Sequence, residues 1–146
     1  MKETSVEENL RKLDAALEAI GEHRVDKFVG LLAESVIWHG VAPAEPLKGR
    51  AAARDQRIQP MLDAFPDLQA RKERSFGEGD WVSVQATLTG THKGPLQLAG
   101  GRTIPPTNKP IRLPMALIAK LEGGEITELY SYWDQLALGN QLGLKA

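Results

Sequence analysis

Residues 111–133 read IRLPMALIAKLEGGEITELYSYW. Two β-prone runs flank Gly123-Gly124, and a glycine pair in that position signals a two-residue hairpin, because both central residues of such a turn need positive φ. Ile111 to Leu121 is therefore expected to be one strand and Ile126 to Trp133 the next. Successive side chains of a strand point to opposite faces. Leu113, Met115, Leu117 and Ala119 share one face, against Arg112, Pro114, Ala116, Ile118 and Lys120. In the second run Leu129, Ser131 and Trp133 oppose Glu128, Tyr130 and Tyr132. The first face of each is the more apolar and is expected to turn inward.

Working outward, Leu68 to Phe76 and Trp81 to His92 read as two further strands joined by a turn at Gly77-Glu78-Gly79-Asp80. The N-terminal half is helical. Val6, Leu10, Leu13, Leu17 and Ile20 make one apolar stripe at helical spacing. Ser5 and Glu8 fit a capping box, and Gly21 fits a left-handed stop. A short second helix is expected over Val25 to Leu32, then a β-prone run from Ser35 to Gly40, then a proline-containing loop over 41–48. A third helix should run from near Gly49 to Ala64, kinked or split by Pro60, which lacks a backbone donor. A last helix follows Asp134 and closes at Gly143. Helices first and strands after predict an α+β fold. We expect one domain over 1–146: a curved antiparallel sheet wrapped around N-terminal helices into a cone with an apolar pocket.

Composition narrows the partners. The chain has 146 residues, 42% apolar and 25% charged, as expected of a globular protein with a real core. Eighteen basic and nineteen acidic side chains give a net charge of −1 without a basic stripe, so nucleic acid is not an expected partner. With no cysteine there are no disulfides, thiolate nucleophiles or thiolate metal sites. The first ten residues are too polar for a signal peptide, and no apolar run is long enough to span a bilayer. A cytoplasmic address without membrane contact is expected.

Three side chains could carry proton chemistry. His39 ends a β-prone run beside Trp38 and could act as acid, base or hydrogen-bond donor, or serve structurally. His92 ends a strand and could face the pocket mouth or tie the following loop to the sheet. Asp134 lies beside aromatic residues, where a carboxylate can have a raised pKa, but it also stands where an N-cap is needed. Residues 93–110 are long for a plain connection and could form a lid or a dimer contact. His23, His39 and His92 lack metal-ligand spacing, and no phosphate-binding or nucleophile-elbow motif is present.

Five short motifs occur in order: Phe65-Pro66-Asp67-Leu68, Gly90-Thr91-His92-Lys93-Gly94, Ile104-Pro105-Pro106-Thr107, Gly123-Gly124-Glu125-Ile126 and Gln141-Leu142-Gly143. Together they resemble the SnoaL-like polyketide cyclase or ester cyclase family. The resemblance implies a nuclear-transport-factor-like cone, often dimeric through the outer sheet face. It also implies cofactor-free acid/base chemistry by an aspartate in the last strand, assisted by a histidine in the strand before. In this sequence those two positions fall on Ser131 and Leu117, neither of which titrates near neutral pH. A pocket asparagine of the cyclases corresponds to His39. Asp134 matches a family aspartate that is not the acid/base.

The expected function is therefore a cofactor-free acid/base enzyme acting on a hydrophobic, oxygenated small molecule by cyclisation, isomerisation, hydration or hydrolysis. His39 would move the proton, with Asp134 as second choice. Trp38, His92, Met115, Leu117, Ser131 and Trp133 would bind the substrate, and no metal would be held. The alternative is a non-catalytic small-molecule binding protein with the same pocket. A third possibility is an accessory protein whose loop only builds a homodimer.

Overall fold

Helix α1 spans Val6–Glu22. Ser5 caps it by accepting the Glu8 backbone N–H over 3.1 Å. The helix ends two residues later than the glycine suggests. His23, not Gly21, takes the left-handed position, with φ 59°. Histidine tolerates this conformation better than most residues, and here its ring Nε2 also lies 2.8 Å from the Leu68 carbonyl oxygen. The structure is a computed structural model and describes residues 5–40, 45–97 and 102–144.

After α2 (Val25–Gly30) comes β1 (Leu32–His39), and β2 (Leu47–Lys48) pairs back onto its end. The expected loop over 41–48 thus contains a short strand, while 41–44 lie outside the described residues. The third helical stretch is not uniform. It comprises α3 (Arg50–Ala53), a π-helical turn over Arg54–Ile58, and α4 (Gln59–Ala64) with Pro60 in its first turn. A π turn absorbs one extra residue, and it falls just before the proline that cannot donate.

Strands β3 (Gln69–Glu78), β4 (Trp81–Thr91), β7 (Pro110–Glu122) and β8 (Glu125–Trp133) build most of the sheet. A short β5 (Leu96–Gln97) pairs with β6 (Thr103–Ile104) in the connection between β4 and β7. The six-stranded order is β2-β1-β8-β7-β4-β3. One-residue register shifts in the β3–β4 and β7–β8 pairings and a larger irregularity between β1 and β8 interrupt the ladders, and such bulges bend and twist a sheet. The result is a curved sheet and helices forming an open cone. One expectation is corrected: β1 runs parallel to β8, so the sheet is mixed. A parallel neighbour needs no hairpin. The whole chain between β1 and β8 supplies the crossover.

The hairpin at 123–124 forms as its glycines require, with φ 58° and 82°. Inward side chains meet in cross-strand rows, such as Val84–Leu117–Ser131 and Ala86–Met115–Trp133. Leu13, Leu17, Ile20 and Phe28 cover them from the helical side, and all four are buried. Fully burying one such side chain is worth about 1.5–3 kcal/mol, so this interface dominates the stability of the fold.

Polar clasps tie the short sequence motifs to one another and to β7. Asp67 accepts both the backbone N–H and the hydroxyl of Thr91, at 2.7 and 2.8 Å. These bonds hold its carboxyl below the usual aspartate range. His92 Nδ1 accepts the Thr107 N–H over 3.1 Å and lies 3.0 Å from the Thr107 hydroxyl. Gln141 exchanges two hydrogen bonds with the Arg112 backbone, at 2.7 and 2.9 Å. Gly94 lets the chain pass α4 closely, because a Cβ there would run into the Asp63 carbonyl oxygen.

Candidate functional site: an apolar cavity with one cation

A cavity of about 160 Å³ lies between the concave sheet face and the helices. Strand alternation fixes one wall. Leu113, Met115 and Leu117 come from β7, Ser131 and Trp133 from β8, Trp38 from β1 and Leu88 from β4. Ile20, Phe65, Leu68 and Leu138 extend the apolar lining, and Leu96 and Gln97 approach from the β5 side. The rest comes from Ile111, from Gln135, and from one stretch of helix that supplies Gln56, Arg57, Pro60 and Met61. The π turn carries Gln56 and Arg57.

Besides the Gln56, Gln97 and Gln135 side chains, two polar arrangements interrupt the apolar surface. Trp38 Nε1–H donates to Ser131 Oγ over 2.9 Å in a buried setting. A buried bond of this kind contributes about 1 kcal/mol net, and more is lost if one partner is removed alone. Ser131 still has a hydroxyl proton to offer, and no described residue accepts it. The second arrangement is Arg57. Its guanidinium carbon lies 5.0 Å above the Trp38 ring centre, and Nη1 is 3.4 Å from the Trp38 carbonyl oxygen. Burial pulls its pKa down from the ordinary arginine value. It starts so high that the side chain remains a cation at neutral pH.

The structure thus brings together Trp38, Met115, Leu117, Ser131 and Trp133. It does not bring His39, His92 or Asp134 to the lining. His39 belongs to an outward cross-strand row, Phe76–Ser83–Ile118–Tyr130–His39. Its ring stacks on Tyr130 with centres 4.3 Å apart and planes 5° from parallel. The alternation that turns Trp38 inward turns His39 outward. Asp134 is exposed and caps α5 (Gln135–Gln141) by accepting the Ala137 N–H over 3.0 Å. His92 is buried one layer behind the wall, its ring centre 5.6 Å from that of Phe65. Burial lowers its pKa, partly offset by the Gly94 backbone. No group of three His, Asp or Glu among the described residues could hold a metal ion. No described helix is long and apolar enough to cross a membrane.

Sequence reasoning misses Arg57 because Ile58, Met61, Leu62 and Phe65 already give its helix an apolar side. An arginine four residues before Met61 was the available signal, since i and i+4 share a helix face.

A family model for SnoaL-like polyketide cyclases matches residues 11–142. The chain belongs to this family. Solved structures agree on the fold. A protein from Jannaschia sp. CCS1, provisionally named a SnoaL-like polyketide cyclase, is 20% identical with a TM-score of 0.84, covering 100% of this chain and 99% of that one. IdmH from Streptomyces antibioticus, provisionally named a polyketide cyclase, is 23% identical with a TM-score of 0.75, covering 93% and 99%. AclR from Streptomyces galilaeus, provisionally named a hydroxylase, is 19% identical with a TM-score of 0.80, covering 95% and 83%. No curated protein matches. Two different activities are attached to these names, so the shared cone does not by itself choose a reaction.

Proposed function

We propose that the cavity receives a hydrophobic, oxygen-bearing small molecule and holds it by shape and by fixed polar groups. One observation carries this reading. Among the described residues, Arg57 is the only lining side chain that ionises, and it is a cation rather than a base. By sequence, 41–44 and 98–101 are Val, Ala, Pro, Leu and Gly alone, so neither supplies a carboxylate or imidazole.

Among the described residues proton abstraction has no candidate in the lining, and His39 and Asp134 receive no such role. The family relationship supports chemistry of the isomerisation or ring-closing kind. In this cavity it would proceed by holding a flexible substrate folded and by stabilising charge on a substrate oxygen through the Ser131 hydroxyl. Trp38 fixes that hydroxyl by donating to it.

Calorimetric titration with tert-butylbenzene, a neutral molecule of suitable size, tests the binding reading. Saturable one-to-one binding is expected in the native protein. Leu113→Phe, which fills the cavity, should abolish it. No binding, or binding unaffected by the filling substitution, defeats the proposal.

A further inference from the structure

Arg57 has the features of a built anion seat. It sits on the π turn, where its side chain is directed over the Trp38 ring at 5.0 Å. Trp38 is itself pinned, by its bond to Ser131 and by Phe28, whose ring centre is 5.5 Å away. Gly40 completes the seat. A Cβ at that position would stand 2.8 Å from Arg57 Nη1 and 2.9 Å from Cζ. The guanidinium therefore occupies space that only a glycine leaves open. Around it the cavity wall is apolar, with Met61, Leu88, Met115 and Trp133 in the lining. A guanidinium in such surroundings has lost much of its hydration, and its planar fork of donors matches a carboxylate.

We infer that the preferred ligand of this cavity is an organic anion, a carboxylate or equivalent oxyanion on an apolar body of about one substituted ring, with Arg57 as the residue that selects the charge. The inference rests on the small-molecule reading above and adds the ligand class to it. Polarity decides the orientation: the anionic head lies against Arg57 and Trp38, and the apolar body extends along Met115 and Leu117. A neutral analogue of the same shape fills the same apolar space but makes no charge-assisted bond to the guanidinium.

The test compares 4-isopropylbenzoate with 4-isopropylbenzamide by calorimetry. The two have nearly the same shape and differ in charge. The native protein should bind the benzoate at least about tenfold more tightly, the scale of one charge-assisted hydrogen bond. Arg57→Gln should bring the two affinities together by weakening the benzoate alone. Gly40→Ala keeps the charge but displaces the guanidinium and should reduce the preference with little change in melting temperature. Equal binding of both probes by the native protein overturns the anion inference and leaves the cavity reading standing. An unchanged preference in Arg57→Gln also overturns it. Binding of neither probe overturns both.

Discussion

At the scale of single residues, alternation and capping decide what a side chain is available to do. Asp134 follows the aromatic run of β8, which suggests a base beside the pocket. Its oxygen is instead committed to the Ala137 N–H in an exposed cap. Asp134→Ala should therefore lower the unfolding free energy by about 1 kcal/mol, as for a lost N-cap. The loss has a route to the cavity, because α5 contributes Leu138 to its lining. Tert-butylbenzene affinity should fall only as far as α5 loosens. His39→Ala, which breaks the stack on Tyr130, should leave that affinity unchanged. Chemical denaturation and calorimetry on the two variants check this. Full stability in Asp134→Ala, or lost binding in His39→Ala, would reverse the assignments.

At the scale of elements, what was legible in the sequence was whatever repeats. The helical stripe of α1 and the strict alternation of β7 and β8 placed the interior faces correctly, since period alone separates the two structures. Three things were not periodic and were not legible. The parallel pairing of β1 and β8 joins segments about ninety residues apart with no local signature. The π turn that carries Arg57 has no periodic signature of its own. The clasps between motifs are contacts across the fold, so the sequence shows Asp67, Thr107 and Gln141 only as parts of separate short motifs and not as partners of Thr91, His92 and Arg112. The His92 clasp gives a measurable consequence. Its Nδ1 must be unprotonated to accept the Thr107 N–H, and burial lowers its pKa in the folded state. Protonation therefore favours the unfolded chain. The clasp contributes fully above the unfolded value of about 6.5, and its contribution declines as pH falls from there toward the lower folded value. His92→Asn keeps an acceptor near that position and removes the titration. It should lose less melting temperature than the native protein between about pH 6.5 and 5. Equal slopes in the two proteins would dismiss the histidine as a source of acid sensitivity.

At the scale of the whole molecule, the same pleat that makes the cavity makes an outer face, and that face is not polar throughout. Phe76, Trp81 and Tyr132 are 61%, 40% and 48% exposed. The Phe76–Ser83–Ile118–Tyr130–His39 row crosses five strands there. Trp81 lies 6.1 Å from Tyr130, ring centre to ring centre, and Phe76 and Tyr132 share that outer face by strand alternation. Grouped exposed aromatics in a small protein mark an association surface, whereas scattered ones do not. We propose a homodimer through this face, with the two cavities opening away from it. A stable interface needs roughly 800 Å² from each partner, which a face five strands wide can supply. Tyr132→Arg places a charge in the patch without touching the cavity lining, because Tyr132 points away from Ser131 and Trp133. Light scattering at micromolar concentration should give twice the chain mass for the native protein and the chain mass for the variant. Tert-butylbenzene binding should be equal in both. A native monomer refutes the dimer, and a Tyr132→Arg dimer places the interface elsewhere on the surface.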